Sequence, residues 1–161
     1  FLKIFVPKYF PEMDKMIYLD TDTIVLRRLD PIWNIDLQDY YAAGVIRIGS
    51  AYAETMVDME PYQYNKFGLD PKTKLMNTGV MVLNAKKIRE DDILPKLLSL
   101  TIEALTHFTK KMSIDEAQAK ITHEEFAFNL LLHGKWKELP EKWNVVPKSK
   151  VRVPYIIHTL H

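Results

Sequence analysis

The chain has 161 residues, of which 47% are hydrophobic and 27% are charged, and its formal net charge is +1. This composition is ordinary for a globular domain with its own core, and the near-neutral charge argues against nucleic acid as a partner. The chain has no cysteine, which excludes disulfides, thiolate metal sites and a cysteine nucleophile and fits a cytoplasmic location. No apolar run approaches the roughly 20 residues that span a membrane.

The first clear strand is predicted at residues 16–20, after a lead-in at 1–15 that Pro7 and Pro11 restrict to a short helix or an irregular segment. A second apolar run follows at residues 23–26. Ile, Val, Tyr and Leu dominate both runs, which is the composition of buried strands. Carboxylates between such runs are costly unless a cation compensates them.

The two runs are joined by Asp20-Thr21-Asp22. Alternate residues of an extended chain point the same way and are about 6–7 Å apart along it. The carboxylates of Asp20 and Asp22 can therefore face one common point, while Thr21 points away. Converging oxygen ligands suit Mg²⁺ or Mn²⁺ shared with substrate phosphates. The alternative is a turn in which one aspartate caps a helix. The preceding strand favours a ligand site, because ligands of open α/β sheets lie at the carboxyl ends of strands.

The middle of the chain predicts two further strands, at residues 41–46 and 79–83, with a polar connection at 47–74 between them. Long connections in compact domains are often functional or mobile. Asn77 and Thr78 stand at the entry of the second of these strands. There they either hydrogen-bond a ligand or pair with the backbone of a turn.

Two helices are predicted in the last part of the chain. Apolar spacing predicts an amphipathic helix at residues 93–111, and a second helix at 124–133 ends at Gly134. Glu124 and Glu125 lie in the first turn of the second helix. There they either stabilise the helix start or face a sugar or a reaction centre.

Short strands are predicted at residues 136–139, 145–146 and 153–157, and the last of them delivers His158. A histidine in that position either ligates a divalent metal through one ring nitrogen or serves as a structural hydrogen-bonding group. The chain lacks an initial methionine and opens mid-pattern, and it stops just after a strand-like run, so we expect it to be a piece of a longer protein.

The order and spacing of these segments resemble glycosyltransferase family 8, the group that contains bacterial lipopolysaccharide galactosyl- and glucosyltransferases, glycogenin and galactinol synthase. The resemblance covers nearly the whole chain, and it is the shared order of the motifs that makes it specific. The segments that carry it are Tyr18-Leu19-Asp20-Thr21-Asp22, Leu29 to Trp33, Met76 to Asn84, Glu124 to Asn129, Leu139-Pro140 with Trp143-Asn144, and Ile156-Ile157-His158.

The resemblance implies an α/β fold of the GT-A, nucleotide-diphospho-sugar transferase type, with a mixed, mainly parallel sheet flanked by helices. It implies one catalytic domain over residues 1–161 that lacks the family's first nucleotide-binding strand and its C-terminal segment, through which peripheral membrane contact is expected. The implied activity is retaining transfer of a hexose from a UDP-sugar to a hydroxyl of a carbohydrate or lipid-linked glycan acceptor, as in lipopolysaccharide biosynthesis.

The resemblance also implies roles for individual residues. Asp20, Asp22 and His158 match the residues that hold Mn²⁺, or Mg²⁺, against the UDP diphosphate. Asn77 matches an asparagine that contacts the donor sugar near the reaction centre. The implied donor-binding set is Lys3, Asp20, Thr21, Asp22, Asn77 and Thr78, and the implied catalytic set is Asn77, Glu124 and Glu125.

Two positions depart from the family pattern. The family usually has Asp-Gln where this chain has Glu124 and Glu125, so donor choice is expected to differ. It usually has arginine where Lys3 stands, and lysine keeps the charge but loses the bidentate fork.

The residues leave other functions and two mechanisms open. A non-catalytic UDP-sugar-binding module would use the same residues without turnover. An Asp-x-Asp phosphohydrolase of the haloacid dehalogenase type fits residues 20–24 but gives no part to His158. Retention uses either a carboxylate nucleophile, for which the chain offers Glu124 or Glu125, or a front-face attack assisted by the departing phosphate.

Overall fold

The computed structural model describes residues 2–47, 70, 72–109, 123–147 and 149–159. Within these residues the chain forms a four-stranded sheet, a two-stranded sheet and five α-helices. The strands are β1 (Lys15–Leu19), β2 (Thr23–Val25), β3 (Ala42–Ile46), β4 (Met76–Asn84), β5 (Trp136–Leu139) and β6 (Ile156–His158). The helices are α1 (Leu2–Tyr9), α2 (Asp30–Trp33), α3 (Ala85–Glu90), α4 (Ile93–Thr109) and α5 (His123–Leu132), and a 3-10 turn spans Glu141–Trp143.

The larger sheet has the strand order β1-β4-β3-β5. The central strand β4 is antiparallel to both β1 and β3, and β3 is parallel to β5. The predicted α/β architecture with a mixed sheet is therefore confirmed. The expectation of a mainly parallel sheet is wrong for the described strands, because two of their three pairings in this sheet are antiparallel.

The residues of β4 gave no independent check on the strand directions that the resemblance implied, because β4 is buried on both of its faces. Eight of its nine residues are buried. Met81 and Leu83 belong to a cluster that includes residues of α3, α4 and α5, whereas Val80 and Val82 belong to a second cluster that includes Ile32 of α2. A strand covered on both faces reads as an unbroken apolar run whichever way its neighbours run, so the run carries no information on strand direction.

The second sheet pairs β2 with β6 in antiparallel register, with Thr23 opposite His158. The expectation that residues 23–26 are buried is wrong, because Ile24 and Val25 are 51% and 43% exposed. Among the described residues β2 has β6 as its only strand partner, and Ile24 and Val25 belong to neither of the two buried clusters that flank β4. What the short strand does supply is a fixed position for His158.

The helices hold β4 at both of its ends. At its start, Asn129 of α5 accepts a hydrogen bond from the Met76 N–H at 2.6 Å and donates one to the Met76 carbonyl at 2.9 Å. At its end, the Asn84 side chain accepts the Lys87 N–H at 3.0 Å and so caps α3. The helix predicted at residues 124–133 ends before Gly134, which has a φ of +69°. In the described part of the chain, no helix has the length and apolarity needed to cross a membrane.

Candidate functional site

The acidic motif lies in a turn between β1 and β2. The N–H and the hydroxyl of Thr23 both donate to the Asp20 carbonyl, at 3.2 Å and 2.7 Å, and the Asp20 N–H donates to the Gly79 carbonyl of β4 at 2.8 Å. The backbone is therefore a turn, so the extended geometry is wrong, and because this turn joins two strands the helix cap of the alternative interpretation is wrong as well. The convergence expected of Asp20 and Asp22 nevertheless occurs, because the turn directs both carboxylates toward β6.

His158 completes this arrangement from the last described strand. Thr159 donates its N–H and its hydroxyl to the Asp22 carbonyl, at 3.0 Å and 2.9 Å, and so fastens the end of β6 to the acidic turn. The His158 Nε2 atom lies 3.3 Å from Asp22 Oδ1 and 3.9 Å from Asp20 Oδ2. One ligand atom from each of the three residues lies within 4.8 Å of the other two.

These residues fit a hard divalent cation. Metal–ligand bonds of about 2.0–2.1 Å put neighbouring ligands about 3 Å apart and opposite ones about 4 Å apart, which is the range found between Nε2 and the two carboxylates. Carboxylate oxygen and imidazole nitrogen are suitable ligands for Mg²⁺ and Mn²⁺. The His158 side chain is 6% exposed, whereas those of Asp20 and Asp22 are 27% and 22% exposed. The cation would thus be held from the buried side with its outer face open.

The second oxygen of Asp20 is engaged by two residues of the chain's first part. Tyr18 donates its hydroxyl to Asp20 Oδ1 at 2.8 Å, and the Lys3 ammonium lies 3.5 Å from the same atom. Lys3 is buried and also donates to the Thr78 hydroxyl at 3.1 Å. Its positive charge therefore offsets one carboxylate of the pair and links the acidic turn to the start of β4.

Glu125 belongs to the same connected set of side chains. Its Oε1 atom lies 2.9 Å from Nη1 of Arg47. Its Oε2 atom accepts the Thr78 N–H at 3.3 Å and the Thr78 hydroxyl at 3.4 Å. Both oxygens of this buried carboxylate are thus committed to neighbours. The side chain of Glu124, the other predicted carboxylate, lies outside the described residues.

Asn77 directs its carbonyl oxygen into the protein. Its Oδ1 atom accepts the Gly79 N–H at 2.9 Å and the side-chain amide of Asn144 at 2.9 Å. Asn144 in turn pairs with His158, whose Nδ1 lies 3.1 Å from Asn144 Oδ1. In the described residues no hydrogen-bond partner accompanies the Asn77 amide nitrogen, so this group is available to a ligand.

Most of the residues predicted from the sequence therefore come together. One connected set contains Lys3, Asp20, Asp22, Asn77, Thr78, Glu125 and His158. Thr21 is exposed at the tip of the turn, and no hydrogen bond in the described part of the chain ties it to the others. No individual role was expected for Tyr18, Arg47 or Asn144. Tyr18 and Asn144 stand in segments that carry the family resemblance, whereas Arg47 offers only a polar group after a strand end, which many structural residues share.

A sequence model described as Glycosyl transferase family 8 matches residues 1–156. The glycosyltransferase GlyA of Streptococcus pneumoniae is 30% identical over 156 residues, which are 96% of this chain and 18% of GlyA. The chain spans between 17% and 40% of the length of five bacterial relatives, GlyA among them.

Two solved structures share the fold. The bifunctional glycosyltransferase WbbM in its apo form superposes with a TM-score of 0.73 at 19% identity, over 99% of this chain and 31% of WbbM. The galactosyltransferase LgtC, solved in complex with donor and acceptor sugar analogues, gives a TM-score of 0.66 at 20% identity, over 99% of this chain and 57% of LgtC. These likenesses establish a GT-A type fold, and the family match covers nearly all of the sequence. The chain belongs to glycosyl transferase family 8.

Proposed function

We propose that this chain carries the donor site of a metal-dependent, retaining glycosyltransferase that moves a hexose from a UDP-sugar to an acceptor hydroxyl. The observation that carries the proposal is the convergence of Asp20, Asp22 and His158 within 4.8 Å of one another. Family membership supports glycosyl transfer as the reaction class. The acceptor class that we propose is a carbohydrate or a lipid-linked glycan.

Asp20, Asp22 and His158 would hold Mn²⁺ or Mg²⁺, and the bound ion would stabilise the negative charge that develops on the diphosphate leaving group. Two carboxylates and a neutral imidazole neutralise a divalent ion without leaving excess negative charge at the ligand set. Lys3 adds a positive charge beside Asp20, which limits the repulsion between the acidic turn and an incoming diphosphate.

Asn77 is proposed to bind the donor sugar through its amide nitrogen. Because its carbonyl oxygen is occupied by the Gly79 N–H and by Asn144, the amide can offer only donors to a ligand. A sugar hydroxyl or ring oxygen is a suitable acceptor for that group. The same two hydrogen bonds hold the side chain in one orientation before a ligand arrives.

Glu125 is proposed to orient neighbouring residues, because its carboxylate is already engaged. Glu125 would attack the anomeric carbon through one oxygen, and that oxygen would first have to leave its partner, which is Arg47 at 2.9 Å for Oε1 and the two donors of Thr78 for Oε2. This cost supports the front-face route, in which the departing phosphate oxygen accepts the proton of the acceptor hydroxyl. Glu125 then holds Thr78, and through it Lys3, beside the acidic turn.

Acceptor binding is assigned by this proposal to the connection at residues 47–74. Residues 48–69 and 71 of that segment lie outside the described residues. Replacing residues 48–69 with a short linker is expected to abolish transfer to the acceptor while leaving UDP binding intact. Loss of both properties would contradict this assignment.

The donor site is tested by thermal unfolding with UDP, with and without Mn²⁺. A ligand at about 100 times its dissociation constant stabilises a protein by roughly 2.7 kcal/mol, so we expect a UDP-induced rise in Tm that requires Mn²⁺. The rise should vanish in Asp22→Asn. It should persist in Asp30→Asn, a matched change at an exposed aspartate that pairs with Arg28.

Two outcomes would contradict the proposal. Absence of an Mn²⁺-dependent rise in the wild-type protein would exclude the donor site. A Mn²⁺-dependent rise without release of UDP from any UDP-hexose, in the presence of glycan acceptors, would instead identify a non-catalytic UDP-sugar-binding module.

A further inference from the structure

A chain of three hydrogen bonds runs from the backbone of β4 to the imidazole of His158. It begins at the Gly79 N–H, which donates to Asn77 Oδ1 at 2.9 Å. It continues through the Asn144 amide nitrogen, which donates to the same oxygen at 2.9 Å, and it ends where Asn144 Oδ1 meets His158 Nδ1 at 3.1 Å. The first donor, the Gly79 N–H, determines which way each of the other groups in this series of hydrogen bonds must point.

The Gly79 N–H is a backbone donor, so the atom of Asn77 that it meets must be an acceptor. This requirement fixes the carbonyl oxygen of Asn77 at that position and turns its amide nitrogen away. An acceptor at Asn77 Oδ1 in turn requires that Asn144 present its amide nitrogen there. The carbonyl oxygen of Asn144 is thereby left facing His158.

A carbonyl oxygen can accept but cannot donate, so the proton of this hydrogen bond must be on His158 Nδ1. In a neutral imidazole the other nitrogen then carries the lone pair. That nitrogen is Nε2, which lies 3.3 Å from Asp22 Oδ1 and 3.9 Å from Asp20 Oδ2. The hydrogen-bond chain therefore directs a lone pair, instead of an N–H, toward the two carboxylates.

Burial and backbone hydrogen bonds hold the side chains of this hydrogen-bond series in place. Asn144, Asn77 and His158 are only 1%, 8% and 5% exposed, so water does not compete freely for their hydrogen bonds. The backbone on either side of Asn144 is fixed as well. Its N–H donates to the Glu141 carbonyl at 3.0 Å, and the next residue, Val145, accepts the His158 N–H at 2.9 Å.

We propose that Asn144 is a positioning residue that sets the tautomer and the ring orientation of His158, so that Nε2 is ready to ligate a divalent cation. The proposal rests on the metal site assigned under the proposed function, but the tautomer itself is a property of the metal-free protein. Groups that hold the second nitrogen of a ligating histidine typically contribute 10–100-fold, as an order of magnitude, to metal affinity.

The first test is nitrogen-15 NMR of the metal-free wild-type protein at about pH 8, where an ordinary histidine is neutral. The chemical shifts of the two ring nitrogens report which one carries the proton. We expect His158 to be protonated at Nδ1. Protonation at Nε2 in the wild-type protein would overturn the proposal without recourse to any variant.

The second test compares two substitutions at residue 144. Asn144→Leu removes the acceptor at similar size and should release the tautomer and weaken Mn²⁺ binding, measured by calorimetry, by about 10–100-fold. Asn144→Asp keeps an acceptor for the Nδ1 proton but cannot donate to Asn77. It should retain the Nδ1 tautomer and bind Mn²⁺ more tightly than Asn144→Leu does.

Asn129→Ala is the matched control, because Asn129 is a buried asparagine that hydrogen-bonds β4 but does not contact His158. It should lower Tm and leave the tautomer and the Mn²⁺ affinity unchanged. Wild-type Mn²⁺ affinity in Asn144→Leu would overturn the proposal, as would loss of the Nδ1 tautomer in Asn129→Ala. An Nδ1 tautomer that depends on Asn144 in a protein without Mn²⁺ affinity would support the positioning and reject the proposed function.

Discussion

The imidazole of His158 lies directly against the α-carbon of Gly79, with no room for a side chain between them. A Cβ built on Gly79 would overlap the ring at Cε1 and would lie 2.6 Å from Nδ1. The ring cannot simply move away, because Asn144 holds its Nδ1 and β2 pairs with its backbone. A glycine at this point of β4 is therefore required by the position of the His158 ring in the candidate metal site.

Gly79→Ala is expected to displace the His158 ring, to destabilise the protein by about 1–3 kcal/mol through overpacking, and to weaken Mn²⁺ binding at least about 10-fold. Gly44→Ala is the control, since its Cβ would meet the flexible side chain of Met76. Calorimetry should show weaker Mn²⁺ binding in Gly79→Ala than in Gly44→Ala. Equal affinities in Gly79→Ala and wild type would show that the ring has room to move.

The ion pair between Arg47 and Glu125 is expected to contribute to the stability of the fold. Arg47→Met leaves a largely buried carboxylate without its cation and should cost roughly 1–3 kcal/mol, measured by urea unfolding. The double variant Arg47→Met/Glu125→Gln should recover part of that loss, because the uncompensated charge is gone. Lys74→Met, which removes the exposed pair with Glu138, should change stability by no more than about 1 kcal/mol. If Arg47→Met and Lys74→Met lost the same free energy of unfolding, the argument from burial would be contradicted.

Glu125 also makes a prediction about catalysis. If it orients Thr78 and does not form a covalent bond, Glu125→Gln should retain measurable UDP-sugar turnover, since glutamine still presents an acceptor oxygen to Thr78. Removal of a true nucleophile costs roughly 10⁴–10⁶ in kcat. Turnover of UDP-hexose by the purified variant separates the two roles, and a loss of that size would identify Glu125 as the nucleophile.

Asn129 is expected to be the most costly polar side chain to remove from the helix that covers β4. Asn129→Ala would strip partners from the N–H and the carbonyl of Met76. Each buried polar group left unsatisfied costs about 1–3 kcal/mol, so urea unfolding should report a total loss of roughly 2–5 kcal/mol. The exposed Asn34 serves as the control, and its change to alanine should cost no more than about 0.5 kcal/mol. Comparable losses at the two positions would refute the assignment.

The way in which the free energy of unfolding changes at acid pH should depend on Tyr41. Its hydroxyl donates to Asp91 at 2.8 Å, and this hydrogen bond, followed by that of Lys87, lowers the pKa of Asp91 below its ordinary value of 3.8. A carboxyl whose pKa is lower in the folded state contributes stability above the unfolded value and loses it as pH falls through the folded value. The stabilisation is thus present above pH 3.8 and is lost below it.

Tyr41→Phe should accordingly lower the free energy of unfolding most above pH 3.8, and the difference from wild type should shrink as pH falls below that value. Urea unfolding above and below that pH measures the difference. Tyr40→Phe is the control, because the Tyr40 hydroxyl has no hydrogen-bond partner in the described part of the chain. A constant difference between wild type and Tyr41→Phe at all pH values would mean that Asp91 is not involved.

The three metal-ligating candidates were predictable because each follows an apolar segment, and polar residues at strand ends converge when the strands share an edge. Asp20 and Asp22 stand out as charges after a buried strand, and His158 ends the last one. The turn that contains the aspartates was not predictable as such, because an extended chain and a turn both bring residues i and i+2 to one side.

The sequence around the residues that support the site does not show what each of them contacts. Asn144 acquires its importance from contacts with Asn77 and His158, which are 67 and 14 positions away in the sequence. Arg47 follows β3 and finds its partner in Glu125 of α5, far away in the sequence. Such roles depend on the packing of several elements, which neither periodicity nor local propensity encodes. The direction of the strands beside β4 was hidden for the same reason.

The pairing of β2 with β6 has a consequence for biosynthesis. The Asp22 carbonyl is fastened by Thr159, which is 137 positions later in the chain, and the ring that faces the aspartates arrives one residue before it. A ribosome therefore finishes the acidic turn long before it supplies the imidazole, and a nascent chain can offer a divalent ion only the two carboxylates. A cation bound at the proposed site would stabilise chains that have been synthesised past Thr159 and not shorter ones. A bound cation would keep the acidic turn, which is synthesised early, together with β6, which is synthesised late.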